Sequence, residues 1–196
     1  MEAIIHILVK NPFFAAGLAI FLWWFLTGII LLLVRRADQK GVESHRALAV
    51  YSFPLFLASG YFCVLTISNT SLVYIYMSFF ASLLMWGWVE LAFLTGLITG
   101  PNKKACPLGI SQTERFVRAW SAISYCEILL FSLLLGYLYL GWNSENTVGM
   151  WTFVILFFAR VSAKLNLFLG VPNVNTEFLA LPLKHLVSYF RISSIN

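Results

Sequence analysis

The chain has 196 residues and a net charge of +5; 60 % of it is hydrophobic and only 11 % charged, with a mean hydropathy of +0.84. Soluble domains carry about 25 % charged residues, so this composition excludes a water-soluble enzyme and predicts an all-α, polytopic membrane helix bundle. The positive charge is modest and sits in short connections, which reads as a topology signal and not as a nucleic-acid surface.

A spanning helix needs about 20 mostly apolar residues. Residues 1–12 are too short for one, and Ile4, Ile5, Leu8 and Val9 predict an interfacial turn or two. Spans are predicted at 13–34, closed by Arg35 and Arg36, then at 47–67, 72–99, 116–141 and 148–170. Residues 173–196 alternate Phe178, Leu179, Leu181, Leu186, Val187 and Phe190 with Lys184, His185 and Arg191, the pattern of a short amphipathic helix lying on the membrane surface. The chain thus divides into a five-span membrane domain, 1–172, and an interfacial tail, 173–196. No signal peptide stands out, because Met1-Glu2-Ala3 lacks a basic start.

Loop charges set the orientation. The 35–46 connection holds Arg35, Arg36, Lys40 and Arg46; the 100–118 connection holds Lys103, Lys104, Arg115 and Arg118; Lys184 and Arg191 follow the last span. The alternate connections, around Ser68-Asn69-Thr70 and Asn143-Ser144-Glu145-Asn146, contain no Lys or Arg. Every basic connection falls on one side, which predicts a periplasmic N-terminus and a cytoplasmic C-terminus. Trp142 and Trp151 are placed at the outer interface, where aromatic belts form. Gly96 and Gly100 form a small-xxx-small pair that would admit a neighbouring helix; the competing reading is an ordinary helix C-terminus.

The last predicted span carries two cations, Arg160 and Lys164, one helical turn apart and therefore on one face. The acids within apolar runs are Glu90 and Glu127. At about 1.5 Å rise per residue, Glu90 lies about 15 Å from the Gly100 turn, Glu127 about 16 Å from Phe116, and Arg160 about 15 Å from Gly170, with Lys164 at about 9 Å. Four ionisable groups of zero net charge thus fall in one layer, with Asn166 and Ser162 available to complete hydrogen bonds. A charge in hydrocarbon is costly and usually faces a partner in the bundle interior. The layer is either an ion-paired cluster that fixes the bundle, which is the favoured reading, or a site for a proton, metal or cofactor. Paired carboxylates hold a metal when histidines accompany them, but His6, His45 and His185 are all placed at membrane edges. Cys63, Cys106 and Cys126 have no metal spacing, their odd number argues against a disulfide framework, and Cys126 reads as a small packing residue. No nucleotide loop, Ser-His-Asp set or zinc motif is present.

The stretch Ser162 to Asn173, Ser-Ala-Lys-Leu-Asn-Leu-Phe-Leu-Gly-Val-Pro-Asn, resembles the signature of the PuhE family of photosynthetic complex assembly proteins of purple phototrophic bacteria. Trp88-Val89-Glu90, Phe93-Leu94-Thr95-Gly96, Thr99-Gly100-Pro101, Cys106-Pro107, Tyr125-Cys126-Glu127, Trp151-Thr152-Phe153, Arg160, Leu186 to Arg191, Trp23-Trp24-Phe25 and Thr27-Gly28 fit the same family in order. The resemblance implies a protein of the bacterial photosynthetic inner membrane that supports assembly of the reaction-centre and light-harvesting complex, or bacteriochlorophyll supply to it. Its partners would be reaction-centre or light-harvesting polypeptides and membrane lipid, not nucleic acid. A structural accessory subunit of the mature complex is the alternative, and an intramembrane enzyme or proton carrier using Glu90 and Glu127 is a third. The family usually carries His where Val89 and Cys126 stand, and continues past the position of Asn196 into a further span with another Glu-His pair. The two replaced histidines imply that this member is not an enzyme. No span contains a histidine to ligate a pigment, so any contact of the aromatic-rich spans with bacteriochlorophyll, carotenoid or lipid is expected to be non-covalent packing.

Overall fold

A computed structural model describes residues 11–170 and 179–191. Among them are six α-helices: α1 Pro12–Lys40, α2 Val42–Tyr51, α3 Phe53–Leu65, α4 Leu72–Leu94, α5 Gln112–Gly141 and α6 Val148–Leu169, followed by a 3-10 helix, Leu181–Tyr189. No strand occurs among the described residues. Five stretches are long and apolar enough to cross a membrane: α1, α2 with α3, α4, α5 and α6. The turn expected around Ile4 to Val9, the placement of His6 and the Val171-to-Phe178 stretch lie outside the described residues.

Sequence chemistry explains each boundary. Asn11 caps α1, its side chain accepting from the Phe13 amide at 2.9 Å, with Pro12 at the first position. The helix does not stop at Val34. It continues through the exposed Arg35 and Arg36 to Lys40, so the predicted 35–46 loop is helical except for Gly41, whose φ of 96° suits glycine. The second span is two helices joined at Ser52. Pro54 has no amide to bond Val50 and its ring crowds that carbonyl, so the axis breaks there.

The largest departure lies at the end of α4. The sequence predicts a span to residue 99, yet the helix ends at Leu94. Gly96, at φ 76°, takes the left-handed position that closes it: the Gly96 amide bonds the Phe93 carbonyl at 2.9 Å and the Leu97 amide the Ala92 carbonyl at 3.0 Å. Gly96 and Gly100 therefore do not share a helix face. The chain instead runs back across α5. The Thr99 carbonyl accepts from the amides of Tyr125 (2.9 Å) and Cys126 (3.2 Å), and Asn102 donates to the Arg118 carbonyl at 3.0 Å through Nδ2. A Cβ on Gly100 would overlap the Ser121 carbonyl oxygen. Irregular backbone at membrane depth persists where protein buries and bonds it; Thr95, Thr99 and Gly100 are all buried.

The connections group at two ends. At one, Asn146 donates through Nδ2 to the carbonyls of Thr66 (3.0 Å) and Tyr74 (3.2 Å), while its Oδ1 accepts from Ser78 Oγ (3.3 Å) and the Val148 amide (3.2 Å). At the other, basic end, the 3-10 helix lies across the bundle. It is a 3-10 helix where a short amphipathic α-helix was expected, with one apolar face on the bundle: Leu183, Leu186 and Tyr189 are buried, the Leu181 amide donates to Asp38 at 3.0 Å, and Arg115 donates to the carbonyls of Tyr189 (2.8 Å) and Phe168 (2.9 Å). The core between the ends gathers α4, α5 and α6 around Val89, Cys126, Leu130 and Phe153, none of them exposed. α4 packs chiefly on α3 and α6 and touches α5 little, so the expected close pairing of the third and fourth spans is carried mostly by the 95–102 segment.

Candidate functional site: a four-charge layer between two clefts

Three helices bring the four predicted charges together. Glu90 sits one turn before the end of α4, Glu127 midway along α5, and Arg160 and Lys164 on one face of α6. Arg160 Nε donates to Glu90 Oε1 at 2.9 Å, and its Nη2 lies 3.7 Å from Glu127 Oε1. Lys164 pairs with Glu127. Lys164 is thus the direct partner of Glu127. The layer is two ion pairs, Glu90–Arg160 and Glu127–Lys164, cross-linked by the second arm of the guanidinium.

Burial makes the pairing consequential. Arg160 is 8 % exposed and Glu127 7 %. A buried ion loses several kcal/mol of hydration, which only a close partner and further hydrogen bonds offset. The additional partners come from groups with no charge. Both Nη atoms of Arg160 donate to Cys126 Sγ, at 3.5 and 3.4 Å. The Arg160 guanidinium carbon is 5.1 Å from the centroid of the Phe93 ring and 5.8 Å from that of Trp86, and Lys164 Nζ is 4.3 Å from that of Phe93. Aromatic faces attract desolvated cations, by about 2 kcal/mol. Cys126 therefore belongs to the site, correcting its reading as a packing residue. Its place beside Glu127 was no signal for this, because successive helix residues point in different directions.

Two residues expected nearby stand apart. Asn166 and Ser162 are exposed on α6, and neither side chain bonds any of the four charges. Gly96 and Gly100 serve the backbone turn described above. His45, expected at a membrane edge, is buried at the basic end, where Nε2 approaches Asp38 Oδ1 at 2.9 Å without hydrogen-bond geometry. Val89, beside Glu90, is wholly buried in the apolar core. Among the described residues no three His, Cys, Asp or Glu side chains gather as a metal set.

The layer reaches the bundle surface on two sides. Glu90 and Arg160 floor a crevice of about 290 Å³ between α1, α4 and α6, bordered by Trp23, Thr27 and Leu156. Glu127 and Lys164 floor a larger cleft of about 500 Å³ between α5 and α6, whose other lining residues carry no charge. Neither acid is unpaired, so the resting arrangement holds charge in place and offers no free base.

Residues 9–196 match the model of a family described as a protein of unknown function, DUF3623, and the chain belongs to that family. It is similar to an uncharacterized 30.4 kDa protein in the puhA 5' region of Rhodobacter capsulatus, 47 % identical over 189 residues, which cover 96 % of this chain and 69 % of that one. No solved structure matches.

Proposed function

We propose that this family member is an integral-membrane protein of the photosynthetic apparatus, as the PuhE resemblance implies, and that it supports assembly of the reaction-centre and light-harvesting complex or the delivery of bacteriochlorophyll to it. The observation that carries the reading is the relative's place in the puhA region, a photosynthesis gene region. Physical features are consistent with it. The 95–111 connection carries no helix and packs onto the bundle, so no soluble domain exists among the described residues to hold a partner. In this reading, binding runs through the spans. The spanning part of α1 is almost entirely unburied and presents Phe21, Trp23, Trp24 and Phe25 outward. Aromatic side chains of that size suit contact with another helix, a pigment tail or lipid.

The exposed α1 face also favours the second reading, a permanent accessory subunit, because such a face would be covered in a mature complex. The pairing of both glutamates weighs against the third, an intramembrane enzyme or proton carrier, since each carboxylate is already committed to a cation. Affinity purification from photosynthetic membranes tests the proposal. Reaction-centre, antenna or pigment-synthesis polypeptides should copurify, at substoichiometric levels for an assembly protein and one-to-one for a subunit. Recovery of none of them would overturn both readings. The proposed orientation places the basic end in the cytoplasm.

A further inference from the structure

The cleft between α5 and α6 has a built shape. Phe116 and Phe168 close it at the basic end, with ring centroids 5.4 Å apart, and Phe131 and Phe157 close it toward the far end at 6.3 Å. Between these two aromatic bridges the helices part for 15 residues of α5, about 22 Å, and enclose about 500 Å³, a volume typical of small-molecule sites. The opening is therefore sideways, at membrane depth, and both ends are shut. A phospholipid, whose head must stay at the interface, cannot lay its chain into it lengthwise past the Phe116–Phe168 bridge. The occupant that fits lies wholly within the hydrocarbon.

The floor specifies its polar group. Lys164 has three donor hydrogens; Glu127 takes one and the Phe93 face a second. The Lys164 side chain is 23 % exposed, against 8 % for Glu127. The site thus offers a spare charged donor beside a carboxylate whose Oε1 already serves both cations. The four-charge layer is already neutral, so an anionic head would leave a net negative charge in a desolvated place, whereas a neutral carbonyl oxygen accepts the hydrogen bond and adds none. Trp120 and the two aromatic bridges favour a flat, conjugated head over a saturated one.

We propose that the α5/α6 cleft binds a neutral lipophile with a conjugated carbonyl head, a quinone being the simplest such molecule, and that Lys164 is its hydrogen-bond donor. The assignment stands beside the proposed function and does not rest on it. It is tested on the purified chain in nanodiscs, with tryptophan quenching by a decyl-substituted benzoquinone as the readout and the non-quenching decylbenzene and dodecanoate measured by their displacement of that quinone. Saturable binding is expected. A charge-assisted hydrogen bond contributes roughly tenfold or more in affinity, so decylbenzene, which lacks the carbonyls, should bind at least about tenfold more weakly, and so should the quinone to Lys164→Met. Ala119→Phe fills the cleft from the α5 wall without touching a charge and should abolish saturation; Val161→Phe does the same from α6. Equal affinity for decylbenzene and the quinone, tighter binding of dodecanoate than of the quinone, or unchanged binding in a folded filling variant would overturn the proposal. A photoreactive azido-quinone on the unaltered chain supplies an arm that needs no variant. Labelling within 116–131 or 157–168 supports the site, and labelling confined elsewhere, or displaced equally by phospholipid, refutes it.

Discussion

Replacing Arg160 by Leu removes the side chain that the charge layer shares. Glu90 then has no cation, Cys126 loses both of its donors, and Glu127 keeps Lys164. Breaking a buried pair by deleting one partner costs about 3–5 kcal/mol. The Glu90 side chain is 25 % exposed in the α1/α4/α6 crevice, so the lower end, about 3 kcal/mol, is the expected loss. Removing Glu90 as well leaves no unpaired charge, and the Glu90→Leu/Arg160→Leu double variant should lie within about 1 kcal/mol of the parent. The Glu90→Leu single variant, which leaves Arg160 with Glu127 at 3.7 Å, completes the cycle, and a pair coupling of about 2 kcal/mol or more is expected.

A third replacement makes the reasoning sharper. Adding Glu127→Leu to that double variant deletes another charge, yet it strands Lys164 and should be worse than the double by about 3 kcal/mol. Stability would be followed by equilibrium unfolding in mixed micelles, and folded yield by size-exclusion profile. A double variant as unstable as Arg160→Leu, or a triple variant better than the double, would refute the two-pair description. A folded double variant that fails to support accumulation of photosynthetic complexes in cells would instead make the Glu90–Arg160 pair a working site.

Other parts of the fold can be tested in the same way. Asn146→Ala leaves two buried carbonyls and two donors without their partner and should cost about 2–3 kcal/mol in the same unfolding assay; a loss under about 0.5 kcal/mol would mean that this clamp is idle. Gly100→Ala drives a methyl into the Ser121 carbonyl and should lower folded yield severely, whereas Gly60→Ala and Gly136→Ala, each with open space at the Cβ position, should be neutral or stabilise by up to about 1 kcal/mol. Equal effects at the three glycines would count against the inserted segment. Reporter fusions after Lys104 and after Asn146 should read cytoplasm and periplasm respectively, and the same side for both would sink the five-span topology.

Hydropathy alone placed the five spans, because each exceeds the bilayer thickness in apolar length and the chain has few charges to confuse the pattern. Cost alone pointed to Glu90, Glu127, Arg160 and Lys164, since each needs a partner in hydrocarbon. What sequence could not supply was rotation about each helix axis and the exact end of each helix. The partner of Lys164 was not legible for the first reason: depth puts it nearer the interface, but the turn of α6 aims it at Glu127. Asn166 failed similarly, being two residues from Lys164 and so on another face. Gly96 stayed between two readings for the second reason, and the structure bears out the helix C-terminus. A glycine four residues from another fits both a helix-packing pair and a helix stop, and only the positive φ decides. Asn146 carried no signal at all, since a loop asparagine that clamps three elements looks like one that is solvated.

The ending of α4 and the charge layer are one problem solved together. Had α4 run on to residue 99, its last turns would carry Thr99 past α5 and leave its carbonyl among the unpaired ones of the helix end. Closing at Gly96 frees the chain to bring that carbonyl onto the amides of Tyr125 and Cys126, immediately before Glu127. The segment therefore ties α5 to the end of α4 at the level where its acid meets Lys164 and its thiol meets Arg160. It does so through backbone groups, which no side-chain pattern reveals. Because α4 itself touches α5 little, this segment and the Arg160 fork are what join the Glu90 half of the layer to the Glu127 half. One half opens on the α1 crevice and the other on the α5/α6 cleft. Both clefts thus border the same four charges, whose ion pairs run from Lys164 through Glu127 and Arg160 to Glu90.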